Sequence, residues 1–477
     1  MMNIRILQQR WFERTLRTRI PFRYGIATMT EVPHVWLDLE AEIDGQVVRG
    51  WAADHLPPKW FTKDPARSLD GEIADMRAVL RSAGERAAGA RGGSVDAVMR
   101  EVRAAQADWA REAGHPPLLA NFGVTFVERA LIDAAARRTG LTLHELLRGN
   151  VVGIELGEWH PELKGMTPAD GLPAAPLATA WARHTVGLGD PLEEADVGAE
   201  EDPRDGLPVS LAAAIRAYGL KHFKIKVAAG QAGALERLAA TVRVIGRETG
   251  GNFAASLDGN ETFADLAALR EFWSRARAEK ALAALWPRML FVEQPVARGQ
   301  ALAERVAADL AVWPDAPPIL IDESGADPED TRRALALGYA GVSHKNCKGV
   351  LQGVANACLL ARRRVERPDG RWLMSGEDLA NVGPIALTQD LAAQAALGNA
   401  SIERNGHHYF AGLRGWPAAT GRYAAEVFND LYQPDGDSGA TLRIDEGRLA
   451  LGTVNREAFG GRRIPVMGDE AVLWAEF

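Results

Sequence analysis

Five short apolar segments between Phe223 and Asn346 each close on a charged residue. They read Phe-Lys-Ile-Lys-Val (223–227), Ala-Ser-Leu-Asp-Gly-Asn (255–260), Leu-Phe-Val-Glu-Gln-Pro (290–295), Ile-Leu-Ile-Asp-Glu-Ser (319–324) and Val-Ser-His-Lys-Asn (342–346). In order, the charges are lysine, aspartate, glutamate, aspartate, lysine. Asp258, Glu293 and Asp322 offer three oxygen ligands, a set that suits a hard cation such as Mg²⁺, with water and substrate oxygens completing its octahedron. Without a cation, three clustered carboxylates repel, and at least one of them must take up a proton.

Lys224 and Lys226 are two residues apart, so on a strand both side chains point the same way. Two ammonium groups this close to each other and to a cation predict a lowered pKa for at least one, and a neutral lysine is a general base. Lys345 arrives four strands further round, on the opposite flank of the metal. Two bases across a metal suit removal of a proton α to a carboxylate, with the cation stabilising the enediolate. Taken singly, each residue has a plainer reading: a strand-end Asp caps a helix and a Lys is surface. Five strand ends carrying the right signs decide for a site. Asn260, Glu323 and Lys348 lie beside these positions and either touch substrate or orient a neighbour.

The elements that must position these groups alternate. The strands recur about every 23 to 35 residues, with helical patterns over 235–247, 266–284, 301–310, 328–337 and 350–364 between them. Further strands are expected at 372–375 and 400–402, and an early one over 179–186. Apolar strand bodies imply burial on both faces and a parallel sheet. Eight strands favour a closed barrel, whose strand ends converge on one mouth. No Gly-x-Gly-x-x-Gly follows the first strand, which weakens a dinucleotide-binding alternative. Upstream, residues 35–43 alternate as a strand and reach a hairpin signal at Asp44-Gly45, followed by helical patterns at 68–84, 94–114 and 127–140. The expected organisation is an α+β cap (1–150), a barrel (151–405) with an aperiodic insertion near 154–208, and a segment (406–477) that returns to the cap.

Apolar residues make up 47% and charged residues 25%, a soluble globular composition. The net charge of −8 argues against a nucleic-acid surface and gives no cue for a membrane. Cys347 and Cys358 cannot build a disulfide framework or a zinc site on their own. With no signal-peptide pattern and no run of about 18 apolar residues, a reduced cytoplasmic protein is expected.

These motifs resemble the enolase superfamily, in its mandelate racemase and muconate-lactonizing branch, and specifically the muconate-lactonizing type with Lys-x-Lys on the second barrel strand (Lys224-Ile225-Lys226). Asp258, Glu293, Asp322 and Lys345 match its positions on strands three to six, and the segment from Phe126 to Arg138 looks like its helix before the barrel. The resemblance implies a (β/α)7β barrel with an N-terminal α+β capping domain completed by the C-terminal segment. It implies Mg²⁺, with Mn²⁺ as a substitute, a small-molecule carboxylate substrate and a homo-oligomer. Catalysis falls to Lys226 and Lys345, with Lys345 preferred over Lys348 by the family pattern, and Lys224 polarises the substrate carboxylate. The cap loops near 20–30 and 50–60 would select substrate, making Tyr24, Trp51, His55 and Trp60 candidate contacts. Glu377, at the end of strand seven, is a further acid near substrate or a helix cap. The insertion would roof the site or support oligomer contacts. Racemisation or epimerisation is the expected outcome, with cycloisomerisation or β-elimination as alternatives and a Schiff-base lyase more remote.

Overall fold

The computed structural model describes residues 2–230, 232–436, 439–462, 468 and 470–477. Three long antiparallel strands, β1 (Ile4–Tyr24), β2 (Ala27–Ile43) and β3 (Gln46–His55), open the cap. Asp44 and Gly45 turn β2 into β3 with φ of 52° and 75°, the double positive φ that a tight hairpin needs. Three helices cover this sheet. Ser68 caps α1 (Leu69–Ala87) by accepting from the Gly71 amide, and Ser94 caps α2 (Val95–Ala113) by accepting from Ala97. The third helix, α3 (Pro117–Thr139), starts on proline, stops at a left-handed Gly140 and is buried along most of its length.

Eight parallel strands form the barrel: Thr179–Val186, His222–Lys226, Ala254–Asp258, Met289–Glu293, Ile319–Ile321, Gly341–His344, Leu373–Gly376 and Ser401–Glu403. The eighth pairs with the first in the register Glu403↔Arg183, which closes the ring. Helices connect each strand to the next, so the architecture is (β/α)7β. Register alone sets Lys226 beside Asp258, and Asp258 beside Glu293.

The 154–208 stretch is divided by the first barrel strand. Before it, short helical turns at Leu156–Trp159 and Pro161–Leu163 pack on the helix Val350–Glu366, where His160 meets Asn356 at 3.0 Å. After it, the loop reaches the cap: Arg19 on β1 holds Asp205 at 2.6 and 2.8 Å, and Arg23 holds Glu201 at 2.8 Å. This loop braces the β1–β2 hairpin beside the barrel mouth. The C-terminal segment touches both units. Arg448–Ala450 pairs with the first barrel strand, and Val472–Glu476 adds to β1 as an edge strand of the cap sheet.

Gly50 shows how closely β3 lies on α3. A Cβ there would come within 2.0 Å of the Ala130 carbonyl oxygen and 2.5 Å of the Ala134 nitrogen. Both obstacles are backbone and cannot swing aside. Gly50→Ala is therefore expected to cost about 2–3 kcal/mol, read as a lowered thermal midpoint. Gly246→Ala, with open space around its Cβ, is expected to be neutral or slightly stabilising. Equal midpoints for the two variants would contradict the close approach.

Candidate active site

The charged strand ends meet in one buried cluster beneath a cavity roofed by the cap. Lys224 Nζ lies 2.8 Å from Glu293 Oε1, 2.7 Å from Glu403 Oε2, 3.1 Å from Asp258 Oδ2 and 3.3 Å from Glu377 Oε2. Lys226 Nζ is 2.5 Å from Asp258 Oδ2. Across the barrel, Lys345 Nζ contacts Asp322 Oδ2 at 2.7 Å and Glu377 Oε2 at 2.6 Å. Lys348 lies beneath Asp322, donating to its carboxylate at 2.8 Å and to its backbone carbonyl at 2.6 Å.

Burial opposes the charge of each lysine, yet the carboxylates prevail. Lys224 is held well above the ordinary lysine range, against its burial, by Asp258, Glu293, Glu377 and Glu403. Lys226 is raised despite burial, mainly by Asp258, with Lys224 pushing the other way. Lys345 is raised well above the ordinary range by Asp322 and Glu377, again against burial. The sequence expectation of a lowered lysine pKa in the Lys224/Lys226 pair therefore does not hold for the chain by itself. Glu377 and Glu403 add negative charge beyond Asp258, Glu293 and Asp322, and of these two only Glu377 was among the expected site residues.

The carboxylates divide. Asp322 stays below the ordinary range despite burial because Lys345 and Lys348 face it. Glu377 is lowered to about 2 against its burial by Lys224 and Lys345. Glu403, also buried, is lowered by Lys224, Lys226 and Lys345. Glu293 goes the other way: burial, then the charge of Glu377, push it well above the carboxylate range, with Lys224 opposing. Its Oε2 is buried without a hydrogen-bond partner. This carboxylate calls for a proton or a cation. Glu323 is raised to about 8 by burial and then by Asp322 and Glu261.

Oxygens of Glu293, Asp322 and Glu377 lie within 4.8 Å of one another, and all three residues are buried. Together with the orphaned Glu293 oxygen, this all-oxygen donor set fits a hard divalent cation. Asp258 is not the third member of that set. Its Oδ2 is held by Lys226 and Lys224, and its Oδ1 accepts from the Asn260 amide at 2.7 Å.

Tyr24, Trp60, Asn260 and Glu323 line the cavity with the lysines. The Tyr24 hydroxyl donates to the Pro58 carbonyl at 2.7 Å, which leaves its ring free of that bond on the cavity wall. The Trp60 ring lies 4.9 Å from Lys345 Nζ. Trp51 and His55 lie elsewhere. Trp51 donates to Asp38 at 3.1 Å beneath the Arg137 guanidinium, and His55 is buried in the cap against His34 and Phe410. Both belong to β3, which is still paired with β2 as far as His34↔His55, so the strand carries them away from the mouth.

The sequence reading missed Glu403, Asn405, Thr185 and Arg183. Glu403 Oε1 accepts from Thr185 at 2.7 Å and from the Asn405 amide nitrogen at 2.8 Å. Arg183 donates to Ser375 at 2.6 Å and lies 3.5 Å from Glu377 Oε1. A signal for Glu403 was present, because it is the charged end of the strand Ser401–Glu403.

A closed eight-strand barrel with charged strand ends under an antiparallel cap defines a class of protein, and comparisons agree with it. A family model described as enolase C-terminal domain-like matches residues 208–447, half of the chain. The fold is similar to a dipeptide epimerase from Cytophaga hutchinsonii complexed with Mg and a dipeptide (TM-score 0.55, 16% identity, 85% of this chain and 88% of that one). It is also similar to a muconate lactonizing enzyme from Pseudomonas fluorescens (0.54, 18%, 83% and 86%) and an N-succinyl Arg/Lys racemase from Bacillus cereus (0.56, 14%, 95% and 98%). None of the curated proteins matches the chain in sequence. The chain belongs to the enolase superfamily, in its mandelate racemase/muconate-lactonizing branch.

Glu293 provides a check on the cation fit. Its folded pKa lies above its ordinary 4.5, so its contribution to stability falls as pH rises from about 4.5 toward the raised value. In EDTA, Glu293→Gln is expected to be more stable than wild type at pH 8, with the gap narrowing toward pH 5. Added Mg²⁺ should raise the wild-type thermal midpoint and leave the variant's nearly unchanged. Equal Mg²⁺ shifts in both proteins would remove Glu293 from the cation site.

Proposed function

We propose that this protein removes the α-proton of a small carboxylate in a Mg²⁺-dependent reaction, most simply a racemisation or epimerisation. The observation that carries the reading is the placement of Lys226 and Lys345 at the ends of the second and sixth barrel strands, on opposite sides of one buried carboxylate cluster. Glu293 and Asp322 would hold the cation, with Asp258 joining as third ligand once Lys226 and Lys224 release its Oδ2, and Mn²⁺, with the same charge and preference for oxygen, would substitute. When bound, the cation supplies positive charge against which the substrate's carboxylate oxygens accumulate electron density as the proton leaves.

The rest is the work of side chains. A lysine takes a proton only when neutral. Lys226 reaches that state when Asp258 no longer holds its ammonium, and Lys345 when Asp322 and Glu377 release it. One lysine takes the α-proton from one face, and the other, still an ammonium, returns a proton to the opposite face. Lys224, kept charged by Glu293, Glu377 and Glu403, attracts the substrate carboxylate and stays out of the proton transfer. Cycloisomerisation and β-elimination share the first step and need only one of the two lysines. A Schiff-base route gives the buried carboxylates no part. A homo-oligomer in a reducing, cytoplasmic setting, consistent with two buried unpaired cysteines, belongs to the same proposal.

Lys226→Ala and Lys345→Ala are each expected to lower turnover by about 10²–10⁴-fold. In D₂O each variant should still exchange the α-proton of one enantiomer of a good substrate, the opposite one in each case. Mass spectrometry and chiral chromatography read both quantities. Loss of exchange for both enantiomers in one variant, with full exchange in the other, would point to a one-base elimination or cycloisomerisation. For the cation, Asp258→Asn should weaken Mg²⁺ binding by tenfold or more, read by calorimetry, while Glu377→Gln should weaken it less. The reverse order would make Glu377 the third ligand.

A further inference from the structure

The cavity's own unmet contacts describe what it accepts. Every cation on its walls already has an anionic partner. Lys59 is 3.0 Å from Glu72, Lys63 is 3.3 Å from Glu261, and Lys224, Lys226 and Lys345 are held by the carboxylate cluster. The roof is formed by Phe22, Met29, Pro57 and Trp60 of the cap, with Leu379 of the barrel. Its one phenol, Tyr24, is committed to Pro58. Such a roof suits an uncharged apolar group, and burying an unpaired charge there would be costly.

Beside the eighth barrel strand, Asn405 also lines the cavity and is 5% exposed. The orientation of its amide follows from its neighbour. Glu403 is a carboxylate that already accepts from Thr185 and Lys224, and it can only accept, so the Asn405 nitrogen faces it at 2.8 Å. The Asn405 Oδ1 must then point away from Glu403, and it is buried with no hydrogen-bond partner. A buried acceptor left unmet costs about 1–3 kcal/mol. A substrate N–H or O–H reaching it would remove that cost.

We infer that the substrate is a carboxylate that carries an uncharged apolar side chain under the cap and, on its other α-substituent, a hydrogen-bond donor received by Asn405 Oδ1. This rests on the proton-abstraction reading for the position of the carboxylate. The donor can be the N–H of an acylated amine or the O–H of a 2-hydroxy acid. Asn405 acts as a specificity-determining contact and takes no part in moving the proton.

The test uses the full-length protein with Mg²⁺ and four probes: N-acetylphenylalanine, 3-phenyllactate, O-acetyl-3-phenyllactate, which lacks the donor, and N-acetylglutamate, which adds a distal charge. Two readouts are taken, α-deuterium uptake and binding affinity by calorimetry. At least one donor-bearing aromatic probe is expected to exceed the O-acetyl isostere and N-acetylglutamate by tenfold or more, and the better of the first two identifies N–H or O–H. Asn405→Leu should bring the donor-bearing probe down to the level of the isostere, while Asn405→Asp, which retains an acceptor, should preserve part of the discrimination. Discrimination in binding without any deuterium uptake would uphold this inference and sink the proton-abstraction reading. Equal binding of donor and isostere, discrimination that survives Asn405→Leu, preference for N-acetylglutamate, or no binding by any probe would overturn it.

Discussion

Everything at the mouth of this barrel follows from one electrostatic constraint: charges taken out of water must be paired there. Closing eight parallel strands forces their C-terminal ends together, and in this chain those ends are charged. The result is a buried lattice in which Lys224 touches four carboxylates and Lys345 two. Such a lattice is costly to assemble, and removing one member leaves another uncompensated. Its visible imbalances are Glu293 and, beside the cluster, Glu323, each buried with an unpartnered oxygen. The lysines neutralise the carboxylates, and the carboxylates in turn favour their ammonium form.

The cap closes the cluster off, and its attachment is itself made by buried polar contacts. Arg298, which opens the short helix Arg298–Ala301 after the fourth barrel strand, donates to the backbone carbonyls of Trp60 and Phe61 at 2.9 and 2.7 Å while pairing with Glu261. Asn381, following the seventh strand, donates to Asp54 of β3 at 2.9 Å and to Asp390 at 2.7 Å. Within each unit the anchors are themselves paired: Arg129 of α3 lies 3.2 Å from the same Asp54, and in the barrel Arg404 pairs with Asp378. The residues roofing the cavity, Trp60 from the cap and Leu379 from the barrel, are thus set by contacts between units. This favours a site whose shape depends on how the cap seats.

Much of this was legible in the chain because a barrel strand buried on both faces spells itself as an apolar run, and its end as a charge. The first barrel strand, Thr179–Val186, showed through a region otherwise lacking any period. Legibility stopped where chemistry depends on neighbours remote in sequence. Glu403 ends a strand that was expected, but the reading closed it one residue early, at Ile402. The lysine pKa values follow from how many carboxylates share each ammonium, which only the closed ring reveals. Trp51 and His55 fell inside the expected loop window at 50–60, but that window is mostly strand, and its contribution to the cavity begins only at Pro57.

On the proposed mechanism a divalent cation completes this cluster and frees its lysines. A crystal structure of the protein grown with Mn²⁺ in place of Mg²⁺, with the ion located by its anomalous scattering, tests it most directly. One strong peak is expected, held by Glu293 and Asp322 at the ends of the fourth and fifth barrel strands, with Lys226 Nζ no longer held by Asp258. No peak there, or an unchanged Lys226–Asp258 contact beside a filled site, would contradict it.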